Sequence, residues 1–121
     1  EAGIKFIMWL DARLVKYVPD SQERVKFTLA AYNVGLGHIM DAIRLAEKHG
    51  LQPDKWSGNV EIALLQKGNA QYYSDPVVKH GYCRGTETIN YVRKELVIAL
   101  PIVFNEAESA TGFWWLQTLE G

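Results

Sequence analysis

Two stretches of helical periodicity meet at a pair of closely spaced glycines, and that junction constrains the fold more than any other feature of the chain. The residues are Ala30-Ala31-Tyr32-Asn33-Val34-Gly35-Leu36-Gly37-His38. Glycine leaves a helix at φ > 0 without the strain a Cβ brings. The junction therefore predicts a tight helix–helix turn with glycines at φ > 0 positions. A Tyr-Asn pair stands right at this turn. An aromatic ring beside a carboxamide can face a cleft and hold a polar, ring-shaped ligand such as a sugar. The plainer reading of the same residues is a packed Tyr and a capping Asn.

The rest of the punctuation is also helical. Residues 2 to 17 predict a helix with Ile4, Ile7, Met8, Leu14 and Val15 near one face, ended by Pro19. Asp20 reads as an N-cap, with Glu23 completing a capping box. The helix it opens runs to about Tyr32, burying Val25, Leu29 and Tyr32 with Phe27 and Thr28 on its flanks. A third helix starts near Gly37, carries Ile39, Ala42, Ile43 and Ala46 at helical spacing, and stops at Gly50. Residues 59 to 67 predict a short apolar helix closed by Gly68. Residues 69 to 85 hold Asn69, Ser74, Asp75-Pro76, Gly81 and Gly85, which are turn formers. Thr86 caps a last helix from Glu87 to about Ala99, ended by Pro101. No strand pattern is present, so the fold class is all-α, and 121 residues make one domain at most.

Composition narrows the partners. A net charge of −1 offers no basic face for nucleic acid. No apolar run approaches the roughly 20 residues that span a bilayer, and no signal-peptide pattern is visible at the start. Cys83 is the lone cysteine, which excludes an internal disulfide. His38, His49 and His80 are not spaced as ligands. His80-x-x-Cys83 supplies two positions of a zinc site and no second pair completes it, so neither metal nor cofactor is expected. A Cys-His peptidase built on Cys83 is a rival, weakened because the nearest helix cap falls at Thr86. Trp56 and Tyr72-Tyr73 have faces that suit sugar rings, although packing is the commoner use of such residues.

The glycine turn and three further stretches together resemble one family. Ala31-Tyr32-Asn33-x-Gly35-x-Gly37 resembles the Ala-Tyr-Asn-x-Gly motif of lysozyme-like lytic transglycosylases, which cut the glycan strands of bacterial cell wall. Glu1-Ala2-Gly3-Ile4-Lys5-Phe6-Ile7 resembles the helix segment after that family's Gly-Leu-Met-Gln motif. Asp41 to Gly50 is similar to the helix after the glycine turn in the membrane-bound F-type subfamily. Gly81 to Val92, with Glu87-Thr88-Ile89-Asn90-Tyr91-Val92, resembles the last motif, Glu-Thr-x-x-Tyr-Val. The match covers about residues 1 to 97.

The resemblance implies a lysozyme-like helical domain acting on peptidoglycan glycan strands, in the periplasm or outer membrane of a bacterium, with the parent protein membrane-anchored. By that resemblance Tyr32, Asn33 and Tyr91 line the substrate cleft, while Glu87 supports its helix rather than the reaction. The family's catalytic Glu, followed by Ser, and its Gly-Leu-Met-Gln segment would lie upstream of Glu1. Residues 1 to 100 then read as the C-terminal part of a catalytic domain, truncated at its N-terminus, with no catalytic residue of its own. Glu108-Ser109 and Leu116-Gln117 mimic the missing motifs too loosely to replace them. The alternative function is a non-catalytic glycan-binding or helical protein-interaction module.

Residues 101 to 121 break the pattern, with Ile102, Val103, Phe104, Phe113, Trp114, Trp115 and Leu116 too apolar for a free linker. Loss of upstream helices would bare apolar surface around Ile7, Leu29 and Ile89. This tail is then expected to fold back as a helix over that face, or to do so on a neighbouring chain in a swapped homodimer. A loose terminus is the alternative.

Overall fold

The computed structural model describes the backbone of residues 2–109 and the side chains of residues 3–98. Helix α1 (Ala2–Leu14) gives way to a turn, and α2 (Ser21–Val34) starts after Asp20, whose carboxylate accepts from the Gln22 amide at 3.1 Å. Two charges in the first turn of α2 then tie separate segments together. The Arg24 guanidinium binds Asp11 of α1 at 2.7 Å and the carbonyls of Val18 and Pro19 at 3.0 Å each. Glu23 accepts from the backbone N–H of Trp56 at 2.9 Å and pairs with Lys26 at 3.2 Å. The expected capping box is thus replaced by a tertiary bond. The Trp56 amide opens an irregular turn and has no helical carbonyl to meet, so the carboxylate serves it instead.

The chain continues through α3 (Leu36–Lys48), the wide turn Trp56–Val60, α4 (Glu61–Gln66), the single helical turn α5 (Ala70–Tyr73) and α6 (Gly85–Ser109). All regular structure among the described residues is helical, as the sequence pattern requires. Residues 69 to 85 are mostly irregular, with α5 inserted where Asn69 caps the Gln71 amide at 2.9 Å.

Helix α2 packs against α1, α3 and α6 and so runs through the middle of the molecule. Residues 27 to 31 are consecutively buried, which no one-sided helix allows. Phe27 and Thr28, placed on the flanks by periodicity, are therefore core residues, while Tyr32 at the end of α2 is 40% exposed. Trp56 is buried edge-on against Phe27, with ring centroids 5.5 Å apart, and presents no face to a sugar. On α1, Leu10 and Leu14 enter the core, whereas Met8 and Val15 are exposed.

Helix α6 departs from expectation at both ends. It begins at Gly85, so Thr86 lies inside its first turn and not at the cap position, and it continues through Pro101 to Ser109. Proline removes its own bond to the carbonyl four residues back, and its ring crowds that same carbonyl. That carbonyl belongs to Val97, which is 75% exposed, so water can satisfy it. Leu29 and Ile89 are buried because α2 and α6 pack on each other, and Ile7 is half-buried; they are not the bare surface expected of them. The proposed fold-back of Phe104 and Phe113 to Leu116 concerns side chains outside the described residues, as does Glu108-Ser109.

Candidate functional site

The turn that ends α2 positions the first two residues of interest. The Gly35 amide donates to the Ala31 carbonyl at 2.9 Å, and Gly35 adopts φ +104°, a conformation that L side chains rarely take. Gly37 serves a different purpose from the one read off the sequence, because its φ is not positive. A Cβ there would lie 2.7 Å from the His80 ring, so the glycine permits close approach of the 75–82 loop.

Tyr32 and Asn33 sit in the last turn of α2, both exposed. The Tyr32 ring tilts against Phe6 of α1, with centroids 5.9 Å apart. Phe6 in turn stacks on Trp9 at 6.0 Å with 14° between planes, and the Arg13 guanidinium lies 5.0 Å from the Trp9 ring centre. These rings make an exposed aromatic ledge that continues from Tyr32 along α1. The i, i+3, i+7 spacing of Phe6, Trp9 and Arg13 was available as a sequence signal. A groove of about 440 Å³ runs on from Arg13, lined also by Lys16, Tyr17, Leu36 and Met40.

Helix α6 packs against α2 at this turn. The buried Thr88 hydroxyl donates to the Asn33 side-chain oxygen at 2.7 Å. Tyr91 follows one turn later on the same side of the helix and is half-buried. Burial, then the Glu95 carboxylate, then Tyr32 push its phenol above the ordinary value, so the OH stays protonated and able to donate at neutral pH. Asn33 is thus tied to α6 one turn before Tyr91, and Tyr32 is near enough to Tyr91 to contribute to its raised pKa. Glu87 is not among them: its side chain is exposed in the first turn of α6, 3.7 Å from Arg84.

Beneath the turn lies a charged cluster that the sequence reading missed. Asp41 of α3 and Lys67 at the end of α4 are both completely buried and paired at 2.7 Å. The Asp41 carboxylate also accepts from the backbone N–H groups of Lys79 and His80, each at 2.8 Å, and from Arg44. Lys67 donates a second bond to His38 Nδ1 at 2.7 Å. Burial alone would raise the Asp41 pKa, but the Lys67 bond and the two backbone donors outweigh it, and the carboxyl titrates below its ordinary range. His38 is held below its usual value by burial and then by the Lys67 charge. This cluster anchors the 75–82 loop against α3 and so fixes the glycine turn from below. Cys83 is buried nearby with its thiol pushed up by desolvation, the opposite of an activated nucleophile.

No protein-family model matches the chain. Curated relatives do. The chain is 41% identical over 92 residues to a protein of Haemophilus influenzae (strain PittGG) named membrane-bound lytic murein transglycosylase F. It is 42% identical over 93 residues to the one of that name from Shewanella halifaxensis (strain HAW-EB4), and 40% over 90 residues to that of Vibrio vulnificus (strain YJ016). The matches take in 74–76% of this chain and only 16–18% of each relative. The chain thus spans less than a fifth of the length of the relatives it matches. Within that span, the resemblance to lytic transglycosylases carried by the motifs is upheld by overall identity.

Proposed function

We propose that this chain, similar over three-quarters of its length to membrane-bound lytic murein transglycosylases, forms the glycan-binding C-terminal part of such a catalytic domain. It would act in the bacterial envelope, in the periplasm or at the outer membrane, on peptidoglycan strands. Among the described residues no helix is long and apolar enough to cross a membrane. The observation that carries the reading is the Thr88–Asn33 bond, which ties the Tyr32-Asn33 turn to α6 one helical turn before Tyr91. Residues 1 to 100 make up this part, and the tail from 101 is assigned no role in the chemistry.

In the proposed reaction a single glutamic acid, supplied by residues N-terminal to Glu1, protonates the glycosidic oxygen as its bond to the anomeric carbon breaks. The resulting carboxylate takes the proton from the sugar's own 6-hydroxyl, whose oxygen closes onto that carbon. The product is a 1,6-anhydro sugar, and no water is consumed. An acid that must be protonated before it acts needs an apolar, partly desolvated site. Tyr32 and Tyr91 would wall such a site, with the protonated phenol of Tyr91 donating a hydrogen bond, while Asn33 contacts the glycan.

The test is co-sedimentation of the 121-residue chain with purified peptidoglycan, followed by assay for anhydro-muropeptides. The chain is expected to be retained on the glycan, to lose about tenfold in affinity on combined Tyr32→Ala and Asn33→Ala substitution, and to release no anhydro product. Retention that the double substitution leaves unchanged would remove the cleft reading. Anhydro product formed by this chain alone would show that it carries its own acid.

A further inference from the structure

The bond from Thr88 to Asn33 does more than join two helices. Asn33 is exposed and lies in the last turn of α2, where a side-chain carboxamide is free to rotate about χ2 and present either its oxygen or its nitrogen to solvent. Thr88 is 1% exposed, and its hydroxyl is 2.7 Å from Asn33 Oδ1. The hydroxyl donates its one proton to the amide oxygen; with the carboxamide turned over, Nδ2 would donate to the Thr88 oxygen and the buried proton would have to find another acceptor. The oxygen is thereby occupied on the protein side, and the two N–H bonds of Nδ2 are turned the other way. Among the described residues Nδ2 makes no hydrogen bond of its own.

We infer that Thr88 is a positioning residue: it locks Asn33 with its amide nitrogen outward, so that the site presents a donor pair to a carbonyl or hydroxyl oxygen of the glycan. The ligand chemistry this selects is an acceptor-rich sugar, above all one bearing an acetamido carbonyl, as N-acetylhexosamines do. An unlocked carboxamide would spend part of its time with the oxygen outward, where it repels the same acceptor. The energetic argument concerns pre-organisation, since a group already held in its binding orientation loses less freedom when ligand arrives. The inference rests on the cleft reading proposed above and adds to it a residue that does not touch the sugar. Thr88 is suited to the role because it is buried. Water has little access to its hydroxyl, and of the two χ1 rotamers open to threonine in a helix the bond to Asn33 selects one.

The inference separates from the cleft reading by experiment. The probe is the β-1,4-linked tetramer of N-acetylglucosamine, titrated into the ¹⁵N-labelled chain while the Asn33 side-chain NH₂ signals are followed. In the free wild-type protein these signals should be a well-separated, sharp pair, shifting on addition of the tetramer. Thr88→Val, which keeps the shape and removes the donor, should move the pair to the positions of a freely solvated asparagine before any sugar is added. It should also weaken binding about fivefold, the equivalent of one neutral hydrogen bond. Thr88→Ser keeps the hydroxyl and should restore both signals and affinity. Asn33→Asp can still accept from Thr88 but has no N–H to offer, and should lose binding with the fold intact, which keeps the idea testable if Thr88→Val proves unstable. If Thr88→Val leaves the free Asn33 signals and the affinity unchanged while the tetramer still binds, the positioning role is wrong and the cleft stands. If the signals respond to Thr88→Val but the tetramer shifts nothing in the wild type, the glycan reading falls and the role of the amide falls with it.

Discussion

The ammonium of Lys67 lies 2.7 Å from the Asp41 carboxylate, and neither side chain has any exposed surface. The pair is asymmetric in its other partners. Asp41 holds two backbone N–H groups of the 75–82 loop and Arg44 besides Lys67, whereas among the described residues the Lys67 ammonium has His38 alone besides Asp41. Removing one member of a buried pair strands the other, at a cost of about 3–5 kcal/mol. Asp41→Asn should sit in or above that range, because the new NH₂ group faces donors and the loop loses its anchor. Lys67→Met should cost less, since Asp41 keeps its other donors. Urea unfolding of the two variants measures the difference. Equal losses would mean that the loop anchor contributes nothing.

The same cluster predicts how stability follows pH. His38 titrates in the fold below its ordinary 6.5, because burial and then Lys67 disfavour its charged form. Between the folded and unfolded pKa values the unfolded chain binds more protons, so stability falls as pH drops through about 6.5 and levels off below the folded value. Asp41 acts lower on the scale. Its folded pKa lies beneath 3.8, so its contribution is complete above that value and is lost as pH falls through the folded one. His38→Asn places an acceptor oxygen near the position of Nδ1 and cannot titrate. It should flatten the melting temperature between pH 7.5 and 5 while leaving the acid loss below pH 4. A wild-type melting temperature already flat between pH 7.5 and 5 would contradict this.

The two glycines of the turn should respond differently to alanine. At Gly35 nothing lies within 4 Å of an added Cβ, so the cost of Gly35→Ala is backbone strain at φ +104°, about 1–3 kcal/mol. At Gly37 the backbone tolerates alanine, but the Cβ would meet the His80 ring at 2.7 Å. His80→Ala should therefore rescue Gly37→Ala and leave Gly35→Ala unrelieved. A double-mutant cycle reads this as coupling at 37 and simple additivity at 35.

The sequence made the helices and the turn legible because local chemistry decides them. Asp20 and Gly35 end or start helices by capping and φ preference, and both do so here. Periodicity was less reliable where a helix has neighbours on several sides. In α2 the pattern pointed to one buried face, yet residues 27 to 31 are all covered, because α1, α3 and α6 surround it. The Asp41–Lys67 pair left no trace in the pattern at all. Charged residues are buried only when distant parts of the chain satisfy them, and the partners here come from α4 and the 75–82 loop. Tyr32 and Asn33 were singled out by their place at the glycine turn and then by motif resemblance, and Tyr91 by resemblance alone. Thr88 lay inside one of those motifs without a role until its bond to Asn33 was seen.

The last prediction tests whether Tyr32 and Tyr91 share one environment. Burial contributes most to the raised pKa of Tyr91, followed by Glu95, and the tyrosinate of Tyr32 adds a smaller repulsion. Tyr32→Phe removes only that repulsion and one exposed hydroxyl, so Tyr91 should titrate lower than in the wild type yet remain above 10. Glu95→Gln should lower it further, since that charge is the larger of the two. Burial raises the pKa whatever the charges do, so the double variant should still not reach the value of free tyrosine. Tyrosine labelled with ¹³C at Cζ resolves each ring in an NMR titration, and far-ultraviolet circular dichroism over the same pH range marks where the fold itself gives way. A Tyr91 titration that Tyr32→Phe leaves unmoved, in protein still folded, would place the two rings too far apart to wall a common cleft, and the proposed glycan site would lose the pairing on which it depends.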